Sequence, residues 1–168
     1  FVMDLKNNRR GRIWKYSEKY GVEYLAGGKP WSIPCECAFP SATQNELNGD
    51  DARTLVANGC RLVCEGANMP STPEAIDVFL ANRVLFAPGK AANAGGVATS
   101  GLEMSQNSMR MSWTREDVEN RLHQIMVKIH HQCAETAAKY GYPGNYLMGA
   151  NICSFIKVAD SMLEQGLV

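Results

Sequence analysis

Two kinds of hydrophobic spacing alternate along this chain. Over the first two-thirds, short apolar runs bounded by Gly, Pro and Asn are separated by segments with helical spacing. Such alternation is how strands joined by helices read in a sequence. The spacing predicts a helix over 3–20, a strand over 22–25, a turn at Gly27, Gly28 and Pro30, and a second strand over 33–39 between Pro34 and Pro40. A helix over 50–57 follows, with Gly59 placed to stop it. A third strand covers 61–64, a helix with Pro73 in its first turn covers 72–81, and a fourth strand covers 84–87. This order argues for a parallel sheet with helices packed on it.

The last third reads as helix alone. One helix is expected over 93–113. Thr114 and Asp117 form a near capping box that opens the next. Its apolar period runs through Val118, Leu122, Ile125, Ile129 and Cys133 to about Tyr140. Gly141, Pro143 and Gly144 break the chain, and a final helix runs over 145–165 until Gly166. Its buried face is expected to be Ile152, Phe155, Ile156, Ala159, Met162 and Leu163.

Composition narrows the class without naming it. The chain has 168 residues and a formal charge of zero, so one domain with a real core is possible and no electrostatic partner is indicated. Neither a nucleic acid nor a membrane is expected as a partner. The basic cluster Lys6, Arg9, Arg10 and Arg12 reads as a solvated helix face, with phosphate binding as the alternative. No apolar run reaches the roughly 18 residues of a membrane span, and no signal peptide is visible. Phe1 is not an initiator Met and no cap chemistry precedes the first helix, so the chain is expected to begin partway through a longer protein.

The six cysteines allow three readings: buried free thiols, a zinc site and disulfides. Cys35 and Cys37 are spaced C-x-C, and Cys60 and Cys64 C-x-x-x-C, neither being the C-x-x-C of common zinc knuckles. In a strand, C-x-C places both sulfurs on one face, where they fill space. The favoured reading is therefore buried thiols with no metal, in a reduced cytoplasmic setting. His123 and His130 share one helix flank, His131 points elsewhere, and all three read as helix-surface residues.

Candidate chemistry gathers where the strands end. Ligands of parallel α/β sheets bind beyond the carboxyl ends of the strands. After the second, third and fourth strands come Pro40-Ser-Ala-Thr-Gln-Asn-Glu-Leu47, Glu65-Gly-Ala-Asn-Met-Pro70 and Pro88-Gly-Lys-Ala-Ala-Asn93. Each alone could be a turn; together they predict a cleft. In the expected helix, Asn93, Val97 and Ser100 are spaced i, i+4, i+7 and make one stripe. An amide, an apolar surface and a hydroxyl suit an organic substrate better than a core.

The strings Ala42-Thr-Gln-Asn-Glu-Leu47, Glu65-Gly-Ala-Asn-Met-Pro70, Pro88-Gly-Lys-Ala-Ala-Asn-Ala-Gly-Gly-Val97, Ser100-Gly-Leu-Glu-Met-Ser-Gln-Asn107 and Gly149-Ala-Asn-Ile152 resemble the hexameric-type glutamate dehydrogenases of the glutamate/leucine/phenylalanine/valine dehydrogenase family. The likeness covers essentially the whole chain. It implies an α/β fold: the second half of a Rossmann-like nucleotide-binding domain over 1–90, then C-terminal helices over 91–168 that pack back toward an absent substrate domain. It implies NADP or NAD as cofactor, L-glutamate, 2-oxoglutarate and ammonium as reactants, and a homohexamer as the parent protein.

By resemblance, Ala42, Thr43 and Gln44 belong to the loop that touches the nicotinamide ribose. Asn68 and Asn93 lie near the nicotinamide, Asn93 also near the substrate. Val97 and Ser100 line the glutamate side-chain pocket. A hydroxyl at Ser100 can donate to a γ-carboxylate, and Val97 can pack on methylenes. The alternative for Ser100 is a serine bonded to its own helix. The family's catalytic lysine and aspartate lie in the N-terminal domain, and Lys90 matches neither. The G-x-G-x-x-G/A phosphate turn is also absent from this chain. The chain alone is therefore expected to be inactive. Other readings are a dehydrogenase for an apolar amino acid, a stand-alone cofactor-binding or interaction domain, and a zinc-binding module.

Overall fold

The computed structural model describes residues 1–166. The chain divides into two compact units, Phe1–Pro30 and Trp31–Val168. In the first unit the predicted helix over 3–20 is broken. A π-helical turn, Asp4–Asn8, is followed by an irregular link and then by α1, Trp14–Tyr20. The break falls where Arg10 takes a left-handed φ of 53° and Gly11 lies against Leu5, its N–H donating to the Leu5 carbonyl at 2.8 Å. A side chain at Gly11 would overlap Leu5. Tyr16, Tyr20 and Phe1 form an aromatic cluster, with Lys19 Nζ 4.1 Å from the Phe1 ring centre. Lys6, Arg9, Arg10 and Arg12 are all exposed, and Arg9 pairs with Asp4. The expected strand over 22–25 does not form. Those residues are exposed and no neighbouring strand pairs with them, and an unpaired strand has nothing to complete its hydrogen bonds.

The second unit is built on three parallel strands in the order β1 (Cys37–Ala38), β2 (Leu62–Cys64), β3 (Leu85–Ala87). Cys37 registers with Leu62, and Leu62 with Leu85. Helix α2 (Gly49–Ala57) joins β1 to β2, and α3 (Pro73–Ala81) joins β2 to β3. Both start on side-chain caps. Asn48 accepts from the Asp50 and Asp51 amides at 3.0 Å each, and Thr72 accepts from the Ala75 amide at 3.4 Å. These caps satisfy amides that no helix can satisfy internally. The expected strand over 33–39 shortens to two residues, because only Cys37 and Ala38 find ladder partners and Pro34 and Pro40 carry no N–H. Cys37 is exposed and Cys35 precedes the strand, so the C-x-C pair does not share a buried face as expected. All six cysteines are free. Burial pushes the Cys60, Cys64 and Cys133 thiols above their ordinary value.

The core lies between the sheet and α2–α3. Leu47, Leu55, Val63 and Phe79 are fully buried, and the Phe79 ring stacks on Phe86 at 6.0 Å. The single helix expected over 93–113 forms as α5 (Gly95–Met109), shorter at both ends: a separate four-residue helix, α4 (Gly89–Ala92), precedes it, and α5 ends at Arg110 in the left-handed region. Thr114 and Asp117 form a capping box that opens α6 (Arg115–Lys139), and α7 (Tyr146–Gln165) packs along α6. Their approach depends on Gly149. A Cβ there would land on the Cys133 carbonyl. Only part of the expected face of α7 is covered: Ile152, Ile156 and Ala159 are half-buried, whereas Phe155, Met162 and Leu163 are 71%, 66% and 80% exposed.

Candidate functional site

The three segments that follow the strands are fastened to one another. The 40–47 segment meets the 65–72 segment through backbone hydrogen bonds, Asn45 N–H to the Met69 carbonyl at 3.0 Å and Leu47 N–H to the Pro70 carbonyl at 3.0 Å. The Gly66 and Ala67 amides return to the Pro40 carbonyl at 2.9 and 3.2 Å. Leu47 and Ser71 form an isolated parallel bridge, extending pairing past the strand ends. Asn45 and Met69 take left-handed φ values of 56° and 52°, a conformation that tertiary contacts must hold in residues other than glycine.

Glu65 joins the second segment to the third. It is 4% exposed. One carboxylate oxygen accepts from the Ser71 amide at 3.1 Å and the other from the Gly89 amide at 2.6 Å. A buried carboxylate is tolerable because it is hydrogen-bonded at both oxygens. Its negative charge adds to burial in raising the Cys64 thiol. Gly89 is required at this joint, since a Cβ would lie 2.8 Å from the Ala67 carbonyl oxygen and 3.2 Å from Glu65 Oε2.

The structure brings Asn68 and Asn93 together: Asn93 Nδ2 donates to Asn68 Oδ1. Asn93 does not continue the stripe of Val97 and Ser100. It caps the C-terminus of α4, with φ −89° and ψ 8°, and α5 begins after it. Val97 is 73% exposed on the first turn of α5, and Ser100 Oγ donates to the Gly96 carbonyl at 3.3 Å. The helix-bonded alternative for Ser100 is thus the arrangement present here. Ala42, Thr43 and Gln44 are exposed, and the Ala42 amide donates to Glu46 Oε1 at 2.8 Å.

A recess of about 380 Å³ opens beside this edge, lined by Glu65, Asn68, Ser71, Phe86, Gly89 and Lys90 among others. The Ser71 hydroxyl is buried there without a hydrogen-bond partner. Lys90 Nζ donates to Asn151 Oδ1 at 2.5 Å, tying α4 to α7. Glu65, Ser71 and Asn151 received no role from the sequence. The usable signal was Glu65 itself, an acid placed directly after an apolar strand at the binding edge. Among the described residues no group of three His, Cys, Asp or Glu side chains could hold a metal ion.

These elements match a known architecture. The model for glutamate/leucine/phenylalanine/valine dehydrogenases matches residues 1–166. The chain belongs to this family. It is 57% identical over 168 residues to a glutamate dehydrogenase of Bacteroides thetaiotaomicron, covering 100% of the chain and 38% of that relative. It is 57% identical over 167 residues to an NADP-specific glutamate dehydrogenase of Salmonella typhimurium, covering 99% and 37%. The crystal structure of Plasmodium falciparum glutamate dehydrogenase superimposes with a TM-score of 0.93 at 50% identity, covering 100% of this chain and 36% of that one. The chain thus spans little more than a third of the length of these family members.

Proposed function

We propose that this chain is the C-terminal portion of a glutamate dehydrogenase. The parent protein would convert L-glutamate to 2-oxoglutarate and ammonium with NADP or NAD. The observation that carries this reading is the hydrogen-bonded Asn68–Asn93 pair at the carboxyl edge of a parallel sheet, in a chain of this family. A dinucleotide's nicotinamide half fits this donor set, because amides and exposed loop backbone suit a carboxamide and ribose hydroxyls. When bound, the nicotinamide supplies a hydride acceptor.

Each candidate site residue has a part in this reading. Ala42, Thr43 and Gln44 meet the ribose, while Asn68 and Asn93 orient the nicotinamide end. Val97 packs on the substrate methylenes, and Ser100 turns its proton from the Gly96 carbonyl to the γ-carboxylate. Residues 1–90 are the cofactor half and 91–168 the helical part lining the cleft; residues 167 and 168 lie outside the described ones. The exposed apolar face of α7 is the surface on which the parent's substrate domain packs. The parent is a cytoplasmic homohexamer with no nucleic-acid or membrane partner. Among the described residues no helix is long and apolar enough to cross a membrane. The chain alone is inactive, because the family's catalytic lysine and aspartate have no match in it.

The test is reduction of NADP and NAD by the full-length protein with glutamate, against the Ser100→Val variant. Loss of a hydrogen bond to a charged group, about 1.5–3 kcal/mol, lowers kcat/KM for glutamate by about tenfold or more. Unchanged turnover by Ser100→Val removes Ser100 from the pocket. Turnover of leucine or valine in place of glutamate by the wild type overturns the substrate.

A further inference from the structure

Asn68 and Asn93 are each one short, stiff step from the same carboxylate. The segment carrying Asn68 is closed by the Glu65–Ser71 hydrogen bond at 3.1 Å. Asn93 stands at the end of the four-residue helix that starts at Gly89, its amide donating to the Gly89 carbonyl at 3.0 Å. Glu65 grips the first residue of that helix at 2.6 Å. One buried group therefore holds both the segment that carries Asn68 and the first residue of the helix that ends at Asn93. The Asn93–Asn68 bond occupies one amide hydrogen-bonding group on each side chain. It leaves the Asn68 NH₂ as donor and the Asn93 oxygen as acceptor.

We propose that Glu65 is a positioning residue, whose carboxylate sets the mutual register of Asn68 and Asn93 and so the polarity of the amide pair they present. This rests on the reading that the pair meets the reacting end of cofactor and substrate. The charge matters as well as the shape. A carboxylate accepts at both oxygens, whereas an amide of the same size turns an NH₂ toward one of the two backbone donors. That donor–donor contact pushes either Ser71 or Gly89 away. Displacements on the order of 1 Å at a reacting site cost about 100-fold in rate.

The experiment compares Glu65→Gln, Asn93→Ala and the double variant in the full-length enzyme. Glu65→Gln is expected to lower kcat by about 10- to 100-fold while KM for glutamate moves by less than about threefold. Because Glu65 acts through the pair, the double variant should lose no more than Asn93→Ala alone. Losses that multiply, or a Glu65→Gln enzyme at the wild-type kcat, overturn the proposal. An Asn93→Ala enzyme at full activity overturns the reading of the pair, and the role of Glu65 falls with it. A loss confined to Asn93→Ala overturns Glu65 alone. If Glu65→Gln does not fold, Gly89→Ala pries open the same joint with the carboxylate kept. The same fall in kcat and the same lack of multiplication with Asn93→Ala are then expected, and a wild-type kcat refutes the role.

Discussion

The segments beyond the strands and the last helix make opposite uses of regularity. Residues 40–47 and 65–72 carry almost no regular structure, yet Leu47, Pro70 and Ser71 are almost wholly buried. Helix α7 is regular for 20 residues, yet leaves Leu163 80% exposed. Backbone order and burial are thus separate properties. A helix completes its own hydrogen bonds and persists with an apolar face uncovered. An irregular segment can be buried only if its backbone polar groups find partners, and here the Pro40, Met69 and Pro70 carbonyls and the Glu65 carboxylate supply them.

The contrast can be broken by substitution. Leu47→Ala is expected to cost about 2–5 kcal/mol, as a core residue does. A denaturant midpoint that gives under about 1 kcal/mol would make the segment an ordinary loop. On the inner face of α7, Gly149→Ala drives a methyl group onto the Cys133 carbonyl, with an expected loss of about 1–3 kcal/mol. An unchanged melting temperature would mean the helices part freely.

A smaller effect comes from pH. The Thr114 hydroxyl and amide, with Arg121 nearby, hold the Asp117 carboxyl below its ordinary value of 3.8. Its contribution to α6 is therefore complete above that ordinary value. It disappears as pH falls through the lower folded value. Asp117→Asn should flatten the acid side of the stability curve relative to wild type; parallel curves would deny the cap its charge. Smallest of all, Leu163→Ser on the outer face of α7 is expected to change stability by less than about 0.5 kcal/mol in this chain, and to reduce self-association. Light scattering and thermal unfolding together read both. In the full-length protein the same change should be costly if a substrate domain packs there.

What could be read beforehand follows the same division. Helices α2, α3 and α6 were legible because caps and apolar spacing are local. Strand lengths were not, since a strand ends where its partner ends: seven residues of β-like spacing left only Cys37 and Ala38 paired. The helix expected over 93–113 starts late, at Gly95, for a related reason. Glu65 starts α4 at Gly89 and Asn68 engages Asn93, and both influences come from distant sequence. Spacing marked the apolar side of α7 but carries no information on what covers it. At the site, Asn68 and Asn93 could be placed at one sheet edge because both follow strands. Their contact could not, and neither could the burial of Glu65, because an acid after a strand reads alike whether solvated or clamped.

The Leu47–Ser71 bridge has a consequence in time. The amides of Asn45, Leu47 and Thr72 lie in segments of irregular shape, but each is donated to a carbonyl across the joint. Amide protons exchange with water only when such bonds open. In deuterated buffer these three should exchange on the slow clock of the sheet rather than the fast clock of a loop. A ligand that needed these segments to part would wait for a rare opening; one that met them as they stand would find the surface already formed.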